Sequence, residues 1–96
     1  MKVTFRRFAQ YEFDESADWY DGERIGLGAE FIAEIEALVA RISADPYLYQ
    51  KALGSVRRAV APRFPYSIYY KVRKSEIVVL AVFAGARDPA IWQSRS

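Results

Sequence analysis

Apolar residues recur at helical spacing through much of the first half of the chain and at strand spacing through the second. Val3 to Phe8 is short and rich in β-forming residues, which predicts a first strand. From Tyr11 to Asp21 the period is helical. Phe13, Ala17 and Tyr20 share one side, and Glu12, Asp14, Glu15, Asp18 and Asp21 are assigned to the other faces. Gly22 to Gly28 breaks that helix. A second helix is predicted from about Ala29 to Ser43, with Phe31, Ile35, Leu38, Val39 and Ile42 in one stripe and Glu30, Glu34 and Arg41 off it. Pro46 ends it, because proline disfavours helical geometry at the preceding Asp45. Val56 to Ala61 then alternates weakly and stops at Pro62. Ser67 to Arg73 places Ile68, Tyr70 and Val72 on one face and Ser67, Tyr69, Lys71 and Arg73 on the other. Glu76 to Phe83 is apolar on both faces, as a central strand should be. Lys74-Ser75 between them is short enough for a hairpin, although it lacks Asn-Gly turn chemistry. The order β-α-α-β-β-β predicts an α+β fold: a helical hairpin on one face of a small, mainly antiparallel four-stranded sheet.

Composition narrows the chemistry. The 96 residues correspond to one domain, 1–96, and 52% hydrophobic residues exclude a disordered chain. With no Cys, disulfides, thiolate catalysis and Cys-based zinc sites are excluded. With no His, imidazole metal ligands and the usual neutral-pH general base go too. No cofactor or metal is implied. No apolar run approaches about 18 residues and Met1-Lys2-Val3-Thr4 has no signal-peptide core, so a cytoplasmic protein with no membrane partner is expected. The net charge of +2 hides a segregation. Residues 1–48 hold 5 Lys/Arg and 10 Asp/Glu, whereas residues 49–96 hold 9 Lys/Arg and 2 Asp/Glu. Such asymmetry points to an anionic partner for one side of the molecule.

Several local features compete as chemistry. Gly26-Leu27-Gly28 has a phosphate-loop look, but Phe31 stands where a third Gly is needed and no strand leads into it, so a helix–helix turn is the better reading. Asp14 and Asp18 lie at i,i+4 and read as a solvated helix face. Phe64-Pro65-Tyr66 rigidifies the approach to the strand at Ser67. The basic residues carry more weight. Arg57, Arg58 and Arg63 flank the second strand, Lys71 and Arg73 lie outward on the third, and Arg87 and Arg95 follow the fourth. Antiparallel pairing is expected to gather them on the face that the helices leave bare, with Tyr69 as a stacking platform. Trp92, after Pro89, is expected to dock on the sheet in a cleft beside Arg87.

With these residues in view, almost the whole chain resembles the RelE/ParE superfamily of type II toxin–antitoxin toxins, specifically its ParE-like plasmid stabilisation members. The resemblance is carried by Trp19-Tyr20-Asp21, Gly26 to Phe31, Asp45-Pro46, Val56-Arg57-Arg58, Arg63 to Tyr70, and Val82 to Pro89 with Trp92. It implies a small toxin neutralised by a cognate antitoxin, whose C-terminal segment wraps it as helix and extended strand. An acidic antitoxin segment would suit a basic sheet face. The target differs within the superfamily: ParE-like members poison DNA gyrase, whereas RelE-like members cleave mRNA on the translating ribosome.

Two departures bear on that choice. Many members carry His where this chain has Ala84, and often Arg where it has Ala86; nuclease members tend to carry Arg at the position of Ser67. If the chain were a metal-independent endoribonuclease, the candidate catalytic residues would be Arg58, Arg63, Tyr70 and Arg87, but arginine stays protonated and shuttles protons poorly. The expected reading is therefore a gyrase-binding toxin using Arg57, Arg58, Arg63, Lys71, Arg73, Arg87 and Trp92. A ribosome-dependent mRNA endonuclease weakened at Ala84 and Ser67 is the alternative.

Overall fold

A computed structural model describes residues 1–96. Two helices pack on a mixed five-stranded sheet. The strands are β1 (Lys2–Phe5), β2 (Lys51–Leu53), β3 (Val56–Val60), β4 (Tyr66–Arg73) and β5 (Glu76–Ala84). The helices are α1 (Arg7–Glu23), α2 (Leu27–Ala44) and the single-turn α3 (Ala90–Gln93). The sheet order is β1-β5-β4-β3-β2. β1 runs parallel to β5, and the other neighbours are antiparallel. The expected four-strand sheet is thus one strand short. β2 has three residues, exposed throughout, so it offers no alternation to read.

Between helices and sheet lies the main core. Phe31, Ile35, Leu38 and Ile42 of α2 meet Ala59, Ile68, Tyr70, Ile77, Val79 and Val82 from the strands. The helices approach closely where Gly28 crosses α1: a Cβ there would lie 2.4 Å from the Ala17 carbonyl oxygen. The Gly28 amide donates to Asp21 Oδ1 at 2.8 Å, so a carboxylate from α1 satisfies one of the orphan N–H groups at the start of α2. Gly26, at φ +89°, makes the preceding turn.

The other face is not bare. Val56, Tyr69, Val78, Leu80, Ala81, Phe83 and Trp92 form a second apolar cluster. An irregularity in the β4–β5 ladder pairs Tyr69 with Ala81 and Tyr70 with Val79, leaving Leu80 as the extra residue. Leu80 and Ala81 therefore both join this second cluster. The last residues fold back so that Trp92 stacks on Tyr69, with ring centroids 3.9 Å apart and planes at 17°.

The β4–β5 turn carries a correctable strain. Lys74 and Ser75 sit at φ +53° and +62°, the primed hairpin geometry that Asn-Gly adopts without penalty. Left-handed backbone costs an L-residue roughly 1–2 kcal/mol. Ser75→Gly is accordingly expected to stabilise the fold by about 1 kcal/mol, read as a raised midpoint in urea with an unchanged slope.

Candidate functional site

The candidate site is the helix-free face around the Trp92–Tyr69 stack. Alternation along β3 and β4 sends Arg58, Lys71 and Arg73 to this side, since Arg58 pairs with Tyr69 and Lys71 and Arg73 follow Tyr69 at intervals of two. Arg58 Nε donates to Ser67 Oγ at 3.1 Å, which fixes the guanidinium without neutralising it. Two shallow cavities carry basic residues, and the first borders the stack. One, of about 330 Å³, is lined by Gln50, Lys51, Arg58, Val60, Tyr69 and Trp92. The other, of about 460 Å³, lies at the β1–β5 corner against Arg6, Arg73, Lys74 and Glu76. Arg6, Lys51, Arg58, Lys71, Arg73 and Lys74 form no ion pair within the chain. They are cations that no carboxylate of the chain answers, and Arg58 is held in place by Ser67.

Other basic residues do not converge here, and the expectation that the arginines gather on one bare face is corrected. Arg57 pairs with Tyr70 on the helix side, where its NH1 donates to the carbonyls of Tyr47 at 3.3 Å and Tyr49 at 2.6 Å, stapling the segment after α2. Arg63 turns towards α2. Its Nε donates to Glu34 Oε1 at 3.0 Å, and Glu34 Oε2 accepts the amides of Arg63 at 2.9 Å and Phe64 at 3.0 Å. Arg87 donates to Glu12 at 2.9 Å, and Arg95 reaches the same carboxylate at 2.9 and 3.1 Å.

Periodicity puts Glu12 and Glu34 off the apolar stripes of their helices, yet both are buried. Glu34 lies three residues after Phe31 and four before Leu38, within the α2 stripe. Glu12 also accepts the Val82 amide at 3.1 Å. β1 pairs only as far as Val79, so beyond that point β5 has an unpaired edge, which Glu12 and Arg95 cover; Arg95 NH1 donates to the Leu80 carbonyl at 3.2 Å. Lys51, Lys74, Arg6 and Glu12 are the residues that sequence reasoning missed. A carboxylate at the margin of the α1 apolar stripe is the one available signal, and it marks Glu12.

Burial pushes the Glu34 carboxyl upward. The two backbone amides and the Arg63 guanidinium outweigh that and hold it below the usual carboxylate range. A depressed folded value means the Glu34 contribution to stability is present above the ordinary carboxylate pKa and is lost as pH falls through the lowered one. Glu34→Gln is therefore expected to lose stability at neutral pH and to show a shallower decline from pH 6 to pH 3 in thermal melts.

Two aromatic expectations also change. Tyr69 is not a free stacking platform, because Trp92 occupies its ring face. Trp92 docks as expected, but on Tyr69, while Arg87 lies 4.4 Å over the Phe83 ring. Tyr70 is fully buried and donates its hydroxyl to the Pro46 carbonyl at 2.6 Å. Burial chiefly, opposed by Arg57 and aided by Tyr49 and Asp45, raises its pKa to about 12. Its proton is committed to the core, out of reach of any substrate.

A family model described as "ParE toxin of type II toxin-antitoxin system, parDE" matches residues 3–89. The chain belongs to the ParE toxin family. It is thus the toxin component of a type II toxin–antitoxin system. A solved structure described as "Chromosomal ParDE TA system from P. aeruginosa" aligns with a TM-score of 0.78 and 19% identity, over 88% of this chain and 95% of that one. At that identity the likeness concerns the fold. No curated protein matches the chain. No helix of this ParE-family toxin is long and apolar enough to cross a membrane.

Proposed function

We propose that this ParE-family toxin acts in the cytoplasm by binding DNA gyrase through the helix-free face, without cutting a substrate. The carrying observation is the set of cations around the Trp92–Tyr69 stack that have no carboxylate partner. Arg58, Lys71 and Arg73 present unpaired positive charge, which suits recognition of an anionic surface and accelerates encounter with it. A non-catalytic role is supported by the fate of the nuclease candidates. Tyr70 is sealed in the core, Arg63 faces Glu34, and Arg87 faces Glu12. Of the four, Arg58 alone projects onto the helix-free face without a carboxylate partner, and a guanidinium is not a proton shuttle. Neutralisation is read as a cognate antitoxin laying an acidic C-terminal segment over this same face.

The test is a supercoiling assay with purified gyrase and micromolar toxin. Inhibition or trapped cleaved DNA is expected, relieved by the antitoxin's acidic C-terminal segment. An inert result overturns the reading, and cuts within translated codons in a translating extract would replace it with the ribosome-dependent mRNA endonuclease.

A further inference from the structure

The opposite side of the molecule holds a second surface, distinct from the cationic face. A groove runs between α1 and the meeting ends of β4 and β5. Its main cavity, about 710 Å³, is lined by Glu15, Asp18, Trp19, Tyr20, Pro65 and Tyr66. It continues past Ser16 and Ala84 towards Glu12 and Arg87. Trp19 and Tyr20 meet edge to face at 5.0 Å, and Tyr20 and Tyr66 do so at 6.1 Å, so the aromatic wall is pre-organised. Glu15 and Asp18, at i,i+3 on one side of α1, form the rim, and neither pairs with any Lys or Arg of the chain.

The same chemistry occurs complete elsewhere in the molecule. Arg87 bonds Glu12 and lies 4.4 Å over Phe83. Arg95 bonds Glu12 and lies 5.2 Å over Phe8. Arg63 bonds Glu34 and lies 5.6 Å over Phe64. In each case a guanidinium is held by a carboxylate at its edge and an aromatic ring at its face. The main cavity of the α1 groove has the carboxylates and the rings but no cation: Arg87, in its continuation, is held by Glu12, and Glu15 accepts only the Tyr11 hydroxyl at 2.6 Å.

We infer that this groove receives an arginine side chain from a partner protein segment, gripped by Glu15 and Asp18 and stacked within the Trp19, Tyr20 and Tyr66 wall. Charge complementarity selects the occupant. The rim is anionic, and a flat guanidinium satisfies carboxylates and ring faces together, which an ammonium does less well. This surface lies apart from the proposed gyrase-binding face, and the inference stands or falls independently of that target.

The experiment is an NMR titration of the full chain, at about 0.15 M salt, with acetyl-Gly-Arg-Gly-amide and with its citrulline counterpart, which keeps shape and loses charge. The Trp19 indole N–H is expected to shift and saturate in the millimolar range with the arginine peptide, and to respond about tenfold more weakly to citrulline. The buried Trp92 indole should stay in place in both titrations and serve as the folding control. Glu15→Gln with Asp18→Asn, both at exposed positions, should reduce arginine binding by about tenfold while leaving the Trp92 signal unchanged. Equal binding of the two peptides, an arginine response indifferent to the double substitution, or no saturable shift at Trp19 would each overturn the inference.

Discussion

Glu12→Ala is expected to lower the melting temperature by at least about 12 °C. Removing one partner of a buried ion pair costs about 3–5 kcal/mol, and each kcal/mol moves the midpoint of a domain this size by about 4–8 °C. The cost is large because three groups lose their partner together. The Val82 amide on the unpaired edge of β5 is left without an acceptor, and Arg87 and Arg95 are left without a counter-charge. Arg95 matters more than Arg87, since its side chain is 16% exposed against 42% and water replaces less of what is lost. Glu12→Gln keeps the shape and an acceptor oxygen, so it should recover part of the loss. A Glu12→Ala protein melting within about 3 °C of the parent would show that the hub does not hold the C-terminal segment in solution.

Trp92→Ala ranks next, at about 3–5 kcal/mol in urea unfolding, the usual cost of deleting a buried large aromatic. Trp92 covers the second apolar cluster, and its removal uncovers Tyr69, Leu80 and Phe83. Its indole N–H makes no hydrogen bond within the chain, so the contribution is area and stacking, not a polar contact. Trp92→Phe should therefore retain much of the stability, with the near-ultraviolet circular dichroism of the stacked pair diminished. A loss below about 1 kcal/mol for Trp92→Ala would mean that the segment after Gly85 is not docked.

What could be read from the sequence follows from how locally each feature is encoded. Both long helices, the stop at Pro46, and the faces of β4 are written in runs long enough for a period to emerge, and they match to within a few residues at most boundaries. β2 is too short and too exposed to show one. The parallel seat of β1 beside β5 depends on contacts some 74 residues apart (Lys2 against Glu76), which no window captures. At the site, alternation correctly sent Lys71 and Arg73 away from the helices. The same alternation puts Arg57, one residue from Arg58, on the helix side, but it could not show that Arg57 staples a loop there, or that Arg63, Arg87 and Arg95 are consumed by two glutamates from the helices. Residue type says that an arginine is charged. Only its neighbours say whether that charge is already answered.

The direct measurement is therefore a paired one: gyrase inhibition and thermal unfolding of Arg58→Glu/Lys71→Glu beside Arg57→Ala and Arg87→Ala. The double charge reversal removes no ion pair and one hydrogen bond, Arg58 to Ser67, so it is predicted to stay within about 1.5 kcal/mol of the parent and to lose inhibition. The two alanine variants are predicted to lose stability first and to inhibit in proportion to the folded fraction. Full inhibition by the well-folded Arg58→Glu/Lys71→Glu protein would contradict the assignment of the helix-free face as the working surface.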